Sequence, residues 1–159
     1  MSDFRSGIGY DAHRLVSGRK LILGGVEIAH ERGLEGHSDA DVLAHAIADA
    51  ILGALGQGDI GQHFPNTDET IRGISSIEIL RQVAGIAAKR NARVVNVDAT
   101  LLAEEPKIAP HVAGMRERIA AALSIEENAI SIKATTNEGL GAIGRGEGMA
   151  AMAVASVEV

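Results

Sequence analysis

The stretch "GHSDADVLAHAIADAILGALG", residues 36–56, carries the clearest structural signal in the chain and predicts a long helix. Its apolar residues recur at helical spacing: Val42, Leu43, Ala46, Ile47, Ala50 and Ile51. Ser38 is a favourable N-cap, and Asp39 and Asp41 suit the positive end of the helix dipole. We therefore expect a helix that begins just after Ser38.

The segments on either side of this helix predict an alternation of strands and further helices. Strands are predicted by apolar or β-branched runs at residues 4–15, 20–30, 92–103, 129–137 and 149–159. Amphipathic periods predict two more helices at residues 75–91 and 110–123, the second started by Pro110. The glycine-rich segments 56–73 and 138–148 predict loops, and Gly24-Gly25 predicts a hairpin turn.

The final strand, residues 149–159, is apolar on both of its alternating faces. Such a strand needs cover on both sides, so we expect helices on one face and a neighbouring subunit on the other. Only 2% of the 159 residues are aromatic, and small aliphatic side chains bury little area each. The thin core also favours an oligomer.

Composition narrows the class of protein. The length, with 46% hydrophobic and 23% charged residues, fits a single soluble domain over residues 1–159. A formal charge of −6 without a basic stripe argues against a nucleic-acid partner. The absence of an apolar run of about 18 residues argues against a membrane partner. Zero cysteines and the opening "MSDFRSG", which does not look like a signal peptide, predict a cytoplasmic protein.

A candidate metal site combines the first strand with the first helix. Asp11 and His13 lie two residues apart on a predicted strand and so share one face. With His45 from the helix they make three carboxylate and imidazole ligands, the set of a catalytic zinc site with one open position. The alternative is that Asp11 and His13 pair by chance and that His45 is a packed, hydrogen-bonded histidine.

A second candidate site is "KATTNEGLGAIGRGEG", residues 133–148. A strand that ends in Thr135 and Thr136, followed by Glu138 and a glycine-rich turn, supplies hydroxyls, backbone N–H groups and a carboxylate for a phosphate–Mg²⁺ site. The alternative is that the glycines only serve turns. Lys107, in the loop after the preceding strand, can pair with a phosphate or remain solvated.

Together these blocks resemble the 2-C-methyl-D-erythritol 2,4-cyclodiphosphate synthase family. The resemblance rests most specifically on "SDADVLAHAIADAILGA" at residues 38–54. It extends to "GIGYDAHRL", "GDIGQHFPNTD", "NVDATLLAEEPKIAPH" and the glycine-rich block, in that order along nearly the whole chain. It implies an α+β fold, a four-stranded mixed β-sheet with helices packed on one face, in a homotrimer with active sites between subunits.

The resemblance also implies the ligands and the residue roles. The implied substrate is 4-diphosphocytidyl-2-C-methyl-D-erythritol 2-phosphate, which is cyclised with release of cytidine monophosphate (CMP). Asp11, His13 and His45 are implied to bind Zn²⁺, and Glu138 to bind Mg²⁺ or Mn²⁺. These four residues and Thr136 are the implied catalytic set. The implied substrate-binding residues are His37, Ser38, Asp59, Ala103, Lys107, Ile108, Ala134, Thr135, Thr136 and Arg145.

Two positions depart from the family pattern, and two other functions stay open. Asn66 stands where relatives more often carry an acid. Ala142 stands where many relatives carry an aromatic residue. It is close in sequence to Arg145, which matches the arginine that in trimers of the family anchors a diphosphate in a central cavity. The alternatives are hydrolysis of a nucleotide diphosphate by a metal-bound water, and metal-free binding of anionic metabolites through the glycine-rich turns.

Overall fold

A five-stranded mixed β-sheet forms the centre of the computed structural model, which describes residues 3–159. The spatial order is β4-β1-β7-β5-β6. The strands are β1 (Phe4–Ser17), β4 (Arg32–Leu34), β5 (Arg93–Leu102), β6 (Ile130–Thr135) and β7 (Gly148–Glu158). Only β5 and β6 run parallel; the other pairs are antiparallel. The α+β class and the mixed sheet are confirmed.

The sheet has one short strand more than expected, so the predicted number of four strands is wrong. The four long strands β1, β7, β5 and β6 are the predicted ones, and β4 adds a three-residue edge beside the end of β1, where Leu34 pairs with Leu15. The number four came from the family resemblance, and a three-residue strand is too short to show a period-two pattern in the sequence. Strands β2 (Leu21–Leu23) and β3 (Val26–Ile28) form the predicted hairpin, with Gly24 and Gly25 at positive φ in its turn.

Three long helices match the predictions, and two short ones do not. The long helices are α1 (Val42–Ala54), α3 (Ser76–Ala88) and α4 (Val112–Leu123), and Pro110 lies in a 3₁₀ turn just before α4. The glycine-rich segments contain the single-turn helices α2 (Ile60–His63) and α5 (Gly141–Gly144). One turn of helix is too short to produce an amphipathic period, so both segments resembled plain loops in the sequence. Within residues 3–159 no helix combines the length and hydropathy needed to cross a membrane.

The N-cap of α1 is Asp41, so the expected cap at Ser38 is wrong. One carboxylate oxygen of Asp41 accepts from the N–H groups of Ala44, at 3.0 Å, and Gly24, at 2.9 Å. The other oxygen accepts from the Gly25 N–H at 2.7 Å. Asp41 therefore caps the helix and also holds the β2–β3 turn, a tertiary contact that favours it over Ser38.

Two glycines allow α1 to lie directly on β1. A Cβ atom at Gly7 would lie 2.1 Å from the Ala50 carbonyl oxygen, and one at Gly9 would lie 1.9 Å from the Ala46 carbonyl oxygen. Neither backbone could tolerate such a contact, so glycine at both positions brings helix and strand together. Asp11 and His13 continue the same alternation along β1, so they share the face on which α1 packs.

The core is aliphatic, as expected. Eleven of the thirteen residues of α1 are buried, and the largest fully buried side chains are leucines, isoleucines and two methionines. The helices cover one face of the sheet only. On the opposite face of β1 and β7, Ile8, Tyr10, Met152 and Val154 are exposed in the single chain.

Candidate metal centre and active-site cleft

Asp11, His13 and His45 converge on one point between β1 and α1. An Asp11 carboxylate oxygen lies 2.8 Å from Nε2 of His13 and 3.0 Å from Nδ1 of His45. The two imidazole nitrogens lie 3.4 Å apart. This is the group of potential metal ligands found among residues 3–159. The three residues that the sequence selected are therefore neighbours in the fold.

The spacing of the three atoms suits a small divalent cation. In a tetrahedral zinc site with Zn–N bonds of about 2.0–2.1 Å, ligand atoms lie roughly 3.3 Å apart. One ionised carboxylate and two neutral imidazoles carry a single negative charge, which a divalent cation offsets. The donor set and its spacing fit a metal ion.

The outer nitrogens of the two histidines have hydrogen-bond partners that orient both rings. Nδ1 of His13 lies 2.6 Å from the Glu35 carbonyl oxygen, which can only accept, so Nδ1 carries the hydrogen. Nε2 of His45 lies 2.8 Å from Oγ of Ser76 and 3.2 Å from Oγ of Ser38. With a hydrogen on each outer nitrogen, the neutral rings direct two lone pairs at each other and at the Asp11 carboxylate, and a cation resolves that repulsion.

Electrostatics within the triad couple Asp11 to His13. Burial alone would raise the pKa of Asp11, but its contacts with His13 and His45 outweigh burial and lower it. Burial alone would lower the pKa of His13, but the hydrogen bond and charge of Asp11 outweigh it and raise that pKa. Without a metal ion, a proton can therefore occupy the space between these groups.

Asp41 and Asp49, which lie one helical turn before and after His45, make no hydrogen bond to its imidazole. The Asp41 carboxylate is occupied by the cap and the β2–β3 turn. The Asp49 carboxylate accepts from the Ile60 N–H at 2.7 Å and so holds α2 against α1. Both carboxylates are used by backbone N–H groups, and the imidazole of His45 has other partners.

A cleft of about 230 Å³ opens beside the triad. Its lining includes His37 and Ser38, two of the expected substrate-binding residues, together with Phe64 and Asn66 from the long loop. His37 donates from Nε2 to the Asp68 carbonyl oxygen at 3.0 Å, which ties the cleft wall to that loop. Asp59, also expected to bind substrate, is the exposed N-cap of α2, where its carboxylate accepts from Gln62 N–H at 3.0 Å.

The second predicted group lies where β5 and β6 end together, two and three strands away from β1. Its residues are Ala103, Lys107, Ile108, Ala134, Thr135, Thr136 and Glu138, and all but Ile108 are at least partly exposed. The Ala103 N–H donates to the Thr135 carbonyl oxygen at 3.0 Å. Among the described residues that line the triad's cleft, none belongs to this second group. The two groups are therefore separate within one chain.

Arg145 stands apart from both groups. Its guanidinium pairs with Glu147 at 3.0 Å, and it lines a different cleft together with His30 and Arg32.

Glu138 has a positive φ of 52°, and its N–H donates to Oγ1 of Thr136 at 3.2 Å. The turn thus orders Glu138 and Thr136 relative to each other.

Three residues that support the sites were missed. Ser76 and the carbonyl of Glu35 orient the two histidines, and the Glu104 carboxylate accepts from the N–H groups of Asn137, at 2.9 Å, and Gly139, at 3.4 Å. Ser76 lies in a segment without a recognisable motif, and the block that contains Glu104 does not by itself indicate what that carboxylate contacts. Only their position in the folded chain shows what they do.

Comparisons with known proteins agree on one family. The profile of the YgbB family matches residues 4–158. The 2-C-methyl-D-erythritol 2,4-cyclodiphosphate synthase of Geotalea daltonii is 60% identical over 154 residues, which cover 97% of this chain and 90% of that protein. The synthase of Symbiobacterium thermophilum is 60% identical over 151 residues, which cover 95% and 96% of the two chains.

Solved structures extend the likeness to the fold. IspF of Plasmodium falciparum, in a CDP complex, superimposes with a TM-score of 0.85 at 35% identity and covers 99% of this chain and 97% of that one. The bifunctional IspDF of Campylobacter jejuni gives a TM-score of 0.95 at 40% identity over 99% of this chain, which spans only 43% of that protein. The chain therefore belongs to the YgbB family, the family of the 2-C-methyl-D-erythritol 2,4-cyclodiphosphate synthases.

Proposed function

We propose that this chain converts 4-diphosphocytidyl-2-C-methyl-D-erythritol 2-phosphate to 2-C-methyl-D-erythritol 2,4-cyclodiphosphate and CMP, with metal ions as cofactors. The observation that carries the proposal is the convergence of Asp11, His13 and His45 on one point at a cleft, in a chain 60% identical to synthases of that name. The activity supplies an intermediate of isoprenoid biosynthesis by the non-mevalonate pathway.

The reaction is an intramolecular phosphoryl transfer. An oxygen of the 2-phosphate forms a bond to the β-phosphorus, the bond from that phosphorus to the bridging oxygen breaks, and CMP leaves with that oxygen. No side chain of the protein has to act as nucleophile. The main obstacle is the approach of one anionic phosphate to another, so positioning and charge neutralisation carry the catalysis.

Two cation sites follow from the residues in the chain. Asp11, His13 and His45 would hold Zn²⁺, and Glu138 would hold Mg²⁺ or Mn²⁺. When bound, these cations would supply positive charge to the phosphates and to the departing nucleotide. A negative net charge of −6 then does not prevent the binding of a polyanionic substrate.

The protein's own groups orient the substrate. His37 and Ser38 line the cleft beside the triad, where the Ser38 hydroxyl can donate a hydrogen bond to the methylerythritol phosphate end, with Asp59 beyond them at the start of α2. Ala103, Lys107 and Ile108, with Ala134, Thr135 and Thr136, would form the pocket for the cytidine diphosphate end. Exposed backbone at the ends of β5 and β6 supports that pocket because it leaves N–H and C=O groups available to a base.

A homotrimer would bring the two groups together. The metal triad and the residues around Glu138 lie in separate places of one chain, so a site that uses both needs a second subunit. The sheet face opposite the helices supports this arrangement, because Ile8 and Tyr10 are 67% and 60% exposed there. An apolar sheet face of this kind is typical of a subunit interface. Arg145, beside a different cleft, would anchor a diphosphate near the trimer axis.

Product analysis tests the function directly. The cytidine-linked 2-phosphate is incubated with the protein, with and without a chelator, and the products are followed by phosphorus NMR. We expect a cyclic diphosphate and CMP, and loss of both with chelator. CMP with a methylerythritol bisphosphate, and no cyclic diphosphate, would instead show a hydrolase, and unchanged substrate in the metal-loaded protein would show a binding protein; either result rejects the proposal.

A further inference from the structure

A chain of hydrogen bonds leads away from the metal triad at the outer nitrogen of His45. Nε2 of His45 lies 2.8 Å from Oγ of Ser76, the first residue of α3, and Ser76 Oγ in turn contacts a carboxylate oxygen of Asp39. The Ser76 side chain is completely buried, and His45 is 6% exposed. Water therefore cannot replace either contact.

The direction of each hydrogen follows from which atoms can only accept. The Asp39 carboxylate accepts from the Ser76 hydroxyl on one oxygen and from the Ser76 N–H on the other, at 2.9 Å. The Ser76 hydroxyl hydrogen is thereby used, and its oxygen is left to accept from His45 Nε2–H. The chain thus runs from His45 to Ser76 to Asp39, and it ends on a charge.

Asp39 is itself fixed by the backbone. Its N–H donates to the Ile74 carbonyl oxygen at 3.1 Å, and its carboxylate also accepts from the Asp41 N–H at 3.2 Å. The start of α3 and the segment before α1 are therefore joined at this residue. A carboxylate held from both sides cannot turn away from Ser76 without breaking several hydrogen bonds.

We propose that Asp39 and Ser76 are positioning residues that keep the hydrogen of His45 on Nε2 and leave the Nδ1 lone pair directed at the metal. The inference rests on the proposed function, since it concerns the metal ligand of that site. A hydrogen bond to the outer nitrogen of a metal-binding histidine fixes the tautomer and ring orientation and raises the basicity of the ligand.

Ser38 is a weaker candidate for the same role. Its Oγ lies farther from His45 Nε2, at 3.2 Å, and accepts from the Ala40 N–H at 3.1 Å. It also lines the cleft and has no carboxylate behind it. The hydroxyl hydrogen of Ser38 therefore remains available to a ligand, while Ser76 and Asp39 hold the ring.

Zinc affinity of the metal-free protein tests the proposal, measured by competition with a chromophoric chelator. Ser76→Ala and Asp39→Asn should each weaken zinc binding about 10–100-fold. Ser75→Ala is the matched control, because Ser75 is the exposed neighbour whose side chain makes no cap hydrogen bond. It should leave affinity unchanged. Wild-type affinity in both Ser76→Ala and Asp39→Asn would overturn the inference.

The tautomer itself provides a second readout that a merely structural role would not change. In the zinc-free wild-type protein, at a pH well above the ordinary histidine pKa, ¹⁵N-detected NMR of the ring should place the His45 hydrogen on Nε2. Ser76→Ala should shift it to a mixture of the two forms. A hydrogen on Nδ1 in the wild type overturns the proposal, whether or not the variants fold.

The two proposals fail separately. If the wild-type protein binds no zinc, or if His45→Ala binds it as well as the wild type does, the proposed metal site itself is wrong. If the wild type binds zinc at the triad, and both Ser76→Ala and Asp39→Asn bind zinc with the same affinity as the wild type, only the positioning role is wrong.

Discussion

Nε2 of His13 and Nδ1 of His45 face each other at 3.4 Å, and the outer nitrogen of each ring has a hydrogen-bond partner of its own. Glu35 holds the hydrogen of one ring and Ser76 that of the other. Two lone pairs and the Asp11 carboxylate thus point into the same space. This relationship distinguishes a prepared cation site from a pair of histidines that merely pack together.

Removal of His45 should abolish metal binding and leave the fold intact. We expect His45→Ala to lose about one zinc ion per chain, because two ligands hold zinc far more weakly than three. Metal content is measured by mass spectrometry of the purified protein, and folding by circular dichroism. His111→Ala, which removes a histidine that makes no cap hydrogen bond, is the control and should keep its zinc. Full zinc content in His45→Ala would contradict the assignment.

The contact between β1 and α1 should not tolerate a methyl group. Gly9→Ala would place Cβ 1.9 Å from the Ala46 carbonyl oxygen, so helix and strand must separate. We expect a loss of about 1–3 kcal/mol in the free energy of unfolding, measured by urea denaturation. Gly85→Ala is the matched control, since a Cβ there meets no atom within 4 Å, and we expect a gain of roughly 0.5–1 kcal/mol. Equal stability of Gly9→Ala and the wild type would refute the close approach.

The N-cap of α1 can be identified by comparing two truncations. Asp41→Ala removes the acceptor of three backbone N–H groups, one of which belongs to buried Gly24. We expect it to lower the free energy of unfolding by about 2–4 kcal/mol. Ser38→Ala should cost less than half as much, since Ser38 accepts one N–H outside the helix. Denaturant titration of both variants measures the difference. A larger loss for Ser38→Ala would restore the cap that the sequence favoured.

The exposed sheet face should govern assembly. Ile8 and Val154 are paired across β1 and β7 on that face, so Val154→Asp places a charge at the centre of the proposed interface. We expect the wild type to sediment as a trimer and Val154→Asp as a monomer with reduced turnover. Ala113→Asp introduces the same charge on the exposed side of α4 and should remain a trimer. A monomeric wild type, or an unchanged Val154→Asp, would exclude this face as the interface.

The metal ligands could be predicted from the sequence, but the residues that orient them could not. Strand alternation placed Asp11 and His13 on one face, His45 from the predicted helix completed a three-ligand set, and the family resemblance implied that the set binds Zn²⁺. Ser76 follows His45 by 31 residues, and no local pattern links them. Contacts of this kind arise only when α1 and α3 pack together, which depends on the whole fold.

The errors in the fold have a similar cause. Ser38 and Asp41 are both good capping residues, and the choice between them depends on the β2–β3 turn, whose N–H groups only a folded chain brings to Asp41. The strand β4 and the helices α2 and α5 have three or four residues each, which is too few to establish a period. The long elements were predictable because their own residues determine them.

An anomalous difference map, recorded at the zinc absorption edge from crystals of the zinc-loaded protein, tests the central claim most directly. We expect one strong peak per chain at bonding distance, about 2.0–2.2 Å, from an Asp11 oxygen, Nε2 of His13 and Nδ1 of His45. A map without a peak there, or with zinc bound through the opposite nitrogen of either histidine, would contradict it.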